Sequence, residues 1–268
     1  TEGGFSGLAI GAAMTGLRPI VEFMSWNFSF VAADQLISNA CKIHYMSGGR
    51  FNVPIVFRGA NGAAAEVAAQ HSHSVAPVYS NFPGFIIISP SNAYDAKGLL
   101  KTAIRDNNPV LFLENEILYG DKMEIPDEPY YLPIGKAHVM QEGSDVTLIS
   151  YSRTLKFCQE AANELKKQGV SVELIDLRTI KPLDIPCIVN SVKKTNFCVL
   201  VEEGHKFSGI SAEIGFTIMN HCFDYLDAPI KRVCQREAPM PYSKPLEIAS
   251  LPSVERIIKA IKDVLSIK

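Results

Sequence analysis

Residues 57–74 read FRGANGAAAEVAAQHSHS. The stretch begins at the end of a β-type run, Pro54-Ile55-Val56-Phe57, and passes through Gly59, Asn61 and Gly62. Small residues follow, and it closes on Gln70-His71-Ser72-His73. A strand opening into a small-residue loop that carries histidines is where an open α/β sheet places chemistry. An ordinary surface loop with two solvated histidines has the same composition, so its neighbours must decide.

Upstream, residues 6–16 are small and apolar throughout, which suits a closely packed buried helix. Residues 19–24 read as a strand. Residues 30–46 read as one amphipathic helix, with Ala33, Leu36, Ile37, Ala40 and Ile43 at helical spacing and Gly48-Gly49 as the stop. Downstream, 85–88 (FIII) is an unbroken apolar run of the kind that fits a parallel strand covered on both faces. A helix over 93–105 with Ser91 or Asn92 as cap and a strand over 110–113 continue the alternation. Residues 119–133, with three prolines and four acidic residues, break the rhythm and read as a linker. A second α/β pattern then runs from a strand at 146–150 to a final helix at 253–265, capped by Ser253. The fold class is α/β, with two doubly wound domains over 1–133 and 134–268.

The 268 residues, 47% hydrophobic, suffice for a sizeable core in one large or two medium domains. A net charge of −2 without a basic stripe argues against nucleic acid. No apolar run is long enough to span a bilayer. The six cysteines are scattered without a CxxC pair, which reads as reduced thiols of an intracellular protein rather than a disulfide frame or zinc site. The chain opens on Thr1 with no visible signal or transit peptide, and is read as lacking its N-terminal segment.

Two further features flank the histidine loop. Glu2 stands at the start of the first helix, where a carboxylate ordinarily serves the helix dipole or the cap. Residues 22–30, EFMSWNFSF, cluster aromatics just past a strand end, which core packing alone would explain.

Together these stretches resemble a known family. TEGGFSGLAIGAAMTGLRPIVEFMSWNFSF, HYMSGG, VPIVFRGANGAAA, AQHSHS, GLLKTAIRDNNPVLFLENE, PIGKA, DLRTIKPLD and YLDAPIKRV are similar, in order and spacing, to the β subunits of pyruvate dehydrogenase E1 components. These belong to the thiamine-diphosphate-dependent 2-oxo acid dehydrogenases. The resemblance covers essentially the whole chain. It implies a transketolase-type pyrimidine-binding domain followed by a transketolase C-terminal domain, and oxidative decarboxylation of pyruvate with acetyl transfer to a lipoyl-bearing E2. An α subunit would hold the diphosphate and its Mg2+. This chain accordingly lacks a Gly-Asp-Gly stretch followed by a metal-binding Asn, so thiamine diphosphate would be shared across an α2β2 heterotetramer.

The resemblance also implies roles. Glu2 would meet N1′ of the aminopyrimidine, favouring the tautomer that takes the C2 proton of the thiazolium, with a pKa raised by burial. Phe28 would pack on the pyrimidine face. Trp26 stands where the family's pattern has phenylalanine, and Gly3 where relatives more often carry a larger residue. His71 would handle protons during transfer to lipoamide. His73 orders the loop or is solvated. His44, His138, His205 and His221 are structural or exposed. A structural K+ would be held by the carbonyls of Ile55, Ala103, Ile104 and Asn108, with Asp106, at a helix C-terminus whose plain capping is the alternative. Asp227 would serve docking of the E2 core, where a turn aspartate is the other reading. The final strand and helix would pack against a second β subunit. The compartment implied is the mitochondrial matrix, with plastid or bacterial cytoplasm as alternatives. Two other functions fit: an E1 β subunit for branched-chain or acetoin-type substrates, and a folded scaffold without catalytic activity.

Overall fold

Mostly apolar runs become the centres of two sheets. In this computed structural model, which describes residues 1–267, α1 (Glu2–Met14) leads into β1 (Ile20–Ser25). A 3₁₀ turn over Trp26–Ala32, a π-helical turn over Gln35–Ala40 and the short α2 (Ile43–Met46) follow. Then come β2 (Val56–Ala60), a 3₁₀ turn at Ala69–His71, α3 (Ala76–Ser80) and β3 (Ile86–Ile88). The half closes with α4 (Ala93–Arg105) and β4 (Val110–Glu114). The later half runs β5 (His138–Gln141), β6 (Val146–Ser150), α5 (Thr154–Lys167), β7 (Val172–Asp176), β8 (Thr179–Lys181) and α6 (Ile185–Thr195). It ends with β9 (Cys198–His205), α7 (Ile210–Cys222), β10 (Lys231–Gln235), α8 (Lys244–Ser250) and α9 (Val254–Leu265).

The chain forms two units. The first comprises residues 1–64, 70–135 and 179–182; the second comprises 65–69, 136–178 and everything from Leu183. In the first, the strand order is β1-β2-β4-β3-β8, parallel except for β8. In the second it is β10-β9-β6-β7-β5, parallel except for β5. The central strands β4, β6 and β7 are buried at every position, as parallel strands covered on both faces must be. Leu99 and Ala103 of α4 pack on Val56, Ile88, Val110 and Phe112 in the first unit. In the second, α5 and α9 cover β6, β7 and β9, with Leu155, Leu165, Ile257 and Ile261 fully sheltered. Side-chain caps set several helix starts: Asn92 Oδ1 accepts from the Asp95 N–H at 2.9 Å, and Ser253 Oγ from the Arg256 N–H at 3.3 Å.

Two expectations need correction. Residues 6–16 do not form a buried helix: of α1 only Ser6, Ile10 and Ala13 are buried, and Leu8 is exposed. Residues 30–46 are not one helix. The turn over Trp26–Ala32 winds tighter to bury Trp26 and Ser29, and Ser29 Oγ donates back to the Trp26 carbonyl at 2.6 Å. A wider turn then carries the Cys41 N–H to the Leu36 carbonyl. Residues 119–133, without helix or strand, are strapped to α4. Tyr130 stacks on Tyr94 at 4.5 Å, and Thr102 Oγ1 donates to the Leu132 carbonyl at 2.7 Å. The strap lies so close that a Cβ on Gly98 would come 2.7 Å from Leu132. The edge strands β5 and β8 and the short helices α3 and α8 were not foreseen.

Candidate active site

The site grows from the C-terminal ends of β1 and β2. Gly59 is required there: its φ is +151°, and a Cβ would lie 2.4 Å from the Phe23 carbonyl oxygen. The chain can therefore bring β2 against β1 immediately before the loop. Asn61 then ties the loop root in three directions. Its N–H donates to the Glu114 carbonyl at 2.7 Å, its carbonyl accepts from Asn115 Nδ2 at 3.0 Å, and its Oδ1 accepts from the Val75 N–H at 2.9 Å. Gly62 N–H donates to the His73 carbonyl at 2.9 Å. Glu66 and Ala68 adopt left-handed backbone, with φ of 59° and 64°.

Past the end of β1, Trp26 is fully buried, 5.3 Å from Phe23 and 5.7 Å from Tyr79 between ring centroids. Its Nε1 donates to the Phe112 carbonyl at 3.3 Å. This anchor turns the half-buried Phe28 towards the histidine loop. Phe28 and the exposed His71 lie side by side, ring centroids 5.5 Å apart and planes tilted by 51°. His73 is tied back to Asn27: its N–H donates to Asn27 Oδ1 at 2.9 Å and its Nδ1 faces the same oxygen at 2.5 Å. Its ring meets Phe30 edge-on at 5.8 Å. Asn27, Asn61 and their bonds across the loop are the residues that reading the sequence missed. The asparagines stood inside quoted motifs, WNF and GANG, but the aromatics and glycines beside them drew the attention.

Glu2 lies in the first turn of α1, which packs against the turn over Trp26–Ala32. In the chain by itself, a hydrogen bond from its own backbone N–H holds the carboxyl below its usual range, and the side chain is 26% exposed. A Cβ at Gly3 would meet the Val31 carbonyl at 3.5 Å, an ordinary contact.

The expected cation ligands gather around the C-terminus of α4, and each named bond here already uses a donor. The Ile55 carbonyl accepts from the Val110 N–H at 2.9 Å, and the Ala103 carbonyl from the Asp106 N–H at 3.2 Å. Arg18 donates to the carbonyls of Ile104 at 3.0 Å and Asp106 at 2.7 Å. Asp106 Oδ1 accepts from the N–H and Nδ2 of Asn108, both at 2.8 Å. The guanidinium thus brings a positive charge to the negative end of α4. Among the described residues no cluster of three or more His, Cys, Asp or Glu side chains could hold a metal. Asp227 is exposed in a bend, its N–H bonded to the Asn196 carbonyl at 3.1 Å. His44 and His205 each face a backbone carbonyl through Nδ1 at 3.0 Å, those of Phe51 and Arg236.

Two transketolase-type domains account for the mostly parallel sheets and for the segments past the strand ends that carry Phe28 and His71, and they make this a transketolase-type protein. The transketolase pyrimidine binding domain matches residues 1–122, and the transketolase C-terminal domain residues 135–257. A split gene transketolase, solved as an inactive β4 tetramer, superimposes with a TM-score of 0.80 at 19% identity, over 100% of this chain and 82% of that one. Among curated proteins, the chain is 54% identical over 265 residues to the pyruvate dehydrogenase E1 component subunit beta of Rhizobium meliloti (strain 1021). It is 53% identical over 268 residues to that of Rickettsia bellii (strain RML369-C), and 53% over 272 residues to the mitochondrial subunit of Bos taurus. The match takes in 98%, 100% and 100% of this chain, and 58%, 82% and 76% of the respective relatives. The chain belongs to the family of pyruvate dehydrogenase E1 component β subunits. No helix among the described residues is long and apolar enough to cross a membrane.

Proposed function

We propose that the chain acts as the β subunit of a pyruvate dehydrogenase E1, decarboxylating pyruvate oxidatively and passing the acetyl group to a lipoyl group on E2. The observation that carries this reading is the pairing of Phe28 with His71, in a chain whose relatives bear that name. The residues suit an aminopyrimidine: Phe28 offers a half-buried aromatic face, and Glu2 a carboxylate able to accept from a protonated ring nitrogen. Thiamine diphosphate, when bound, supplies the nucleophilic carbon that cleaves a 2-oxo acid beside its carbonyl. Glu2 holds the ring and its proton, Phe28 orients it, and the exposed His71 moves protons as the acyl group leaves for lipoamide.

The proposal includes its assembly. The domains divide near residue 133, a pyrimidine-binding domain preceding a C-terminal one. An α subunit holds the diphosphate and Mg2+ in an α2β2 heterotetramer, a second β subunit packs on the final strand and helix, and Asp227 serves the E2 core. K+ binds through Ile55, Ala103, Ile104, Asp106 and Asn108, in competition with Arg18 for the Ile104 carbonyl. The compartment is the mitochondrial matrix or the bacterial cytoplasm; the relatives come from both mitochondria and bacteria.

Pyruvate-dependent reduction of an artificial electron acceptor tests the reading, with the chain co-expressed with an α subunit and supplied with thiamine diphosphate and Mg2+. The activity should need both chains and disappear in Glu2→Gln. Turnover of branched-chain 2-oxo acids in place of pyruvate would reassign the substrate. An assembled α–β complex inert towards every 2-oxo acid would refute the catalytic reading.

A further inference from the structure

Asn27 is buried and spends its amide on two partners. Its Nδ2 donates to Ser25 Oγ at 2.9 Å, and the His73 backbone N–H, which can only donate, fixes Oδ1 on the side of the histidine loop. There Oδ1 takes the His73 N–H at 2.9 Å and meets His73 Nδ1 at 2.5 Å. A ring nitrogen facing a carbonyl-type acceptor carries its proton, so His73 is held as the Nδ1–H form. The far side of the same segment is gripped by Gly62 N–H on the His73 carbonyl and by Asn61 on the Val75 N–H. Phe28 follows Asn27 directly, and His71 precedes His73 by two residues. Holding His73 on Asn27 therefore brings His71 alongside Phe28, where the rings stand 5.5 Å apart.

We propose that Asn27 is a positioning residue for His71, acting through His73. This deepens, and rests on, the proposed acyl-transfer function. The Asn27 amide would be costly to bury without partners, and beyond Ser25 the bonds it makes are those to His73. His73 is the handle: it supplies two donors in a fixed geometry, and its ring is braced edge-on by Phe30.

The test uses the assembled α–β complex with Asn27→Ala and Asn27→Asp. In Asn27→Ala, amide exchange at His73, resolved to single residues by mass spectrometry, should rise about tenfold or more. Val75, held by Asn61, should change less than about threefold. Acetyl transfer to a lipoyl domain should fall about tenfold or more, while the pyruvate KM and reduction of the artificial acceptor stay within about threefold. Asn27→Asp, whose carboxylate accepts both His73 donors, should restore the transfer. Should Asn27→Ala fail to assemble, His73→Ala must give the same selective loss. Unchanged exchange at His73, or faster exchange with undiminished acetyl transfer, would overturn the proposal. If the parent complex turns over no 2-oxo acid, the proposed function fails, while the exchange comparison still decides whether Asn27 holds the loop.

Discussion

Replacing Trp26 by phenylalanine is the sharpest probe of how the site is anchored. Trp26 is fully buried, and its indole N–H reaches the Phe112 carbonyl at 3.3 Å. The phenyl ring would keep the contacts with Phe23 and Tyr79 in kind but leave roughly 40 Å3 unfilled, worth about 1 kcal/mol. The lost indole donor adds about 0.5–1.5 kcal/mol. The sum, about 1.5–2.5 kcal/mol, corresponds to a change of roughly 10- to 70-fold in the population of the opened state. A chain of two units need not unfold as one, so a global midpoint would blur the effect. Hydrogen exchange separates them: amides of β4 should exchange roughly 10- to 70-fold faster in Trp26→Phe, and those of β6, in the second unit, should not change. Protection of β4 within about threefold of the parent would refute the reasoning. Such a result would mean that Phe23 and Tyr79 close around the smaller ring without loss.

Gly3→Ala should stabilise α1 by about 0.5–1 kcal/mol, since the new methyl meets only the Val31 carbonyl at 3.5 Å; thermal melting checks this, and a destabilised variant would contradict it. Thiol titration of the native chain should find Cys187, the one cysteine that is not buried, and leave the other five unreacted until denaturant is added. Burial pushes the Cys158 thiol up to about 12, so almost none of it is thiolate near neutrality. Burial works to raise the Glu173 pKa, but the Lys194 ammonium and further hydrogen bonds outweigh it, and the carboxyl stands below its usual range. Its contribution is complete above the ordinary carboxylate pKa and fades as pH falls through the lower folded value. Lys194→Met should therefore cost about 1–2 kcal/mol in denaturant unfolding near pH 7 and less at acid pH; equal losses at both would exclude the ion pair as the cause. Arg18→Met frees the Ile104 and Asp106 carbonyls, so KCl should raise its melting temperature more than the parent's, and more than an equal concentration of a bulky organic cation does.

Much of the architecture was legible because parallel strands covered on both faces leave an unmistakable signature. VLFL is an unbroken apolar run, VTLI and VELI carry a single polar residue each, and all three lie in strands buried at every position, while FIII supplies β3. The cap Ser253 was plain, and Asn92 is the one of the two candidates, Ser91 and Asn92, that caps α4. Strands β5 and β8 were not legible: four and three residues long, at sheet edges, they carry too little pattern to stand out. The stretch over 30–46 misled because its apolar spacing is truly helical. What the spacing could not convey is that Trp26 and Ser29 draw the preceding residues into a tighter turn. At the site, the resemblance supplied Phe28 and His71 separately, and the fold puts their rings side by side. The Asn27–His73 link escaped because its partners lie 46 positions apart, and no local rule couples them.

Strand β8 has a consequence for synthesis. It is made after β5, β6 and β7, yet it zips onto β3 in the first unit, where Lys181 Nζ also donates to the carbonyls of Ser80 and Phe82. A nascent chain that has completed β4 thus still displays the isoleucines of β3 along an unfinished edge, and must wait for residues 179–182 to leave the ribosome. During that interval the edge can recruit strands from neighbouring chains. The second unit waits in reverse, since residues 65–69 emerge long before their surroundings exist. Severing the chain in its proline-rich strap would leave two pieces, each missing a segment that only the other carries.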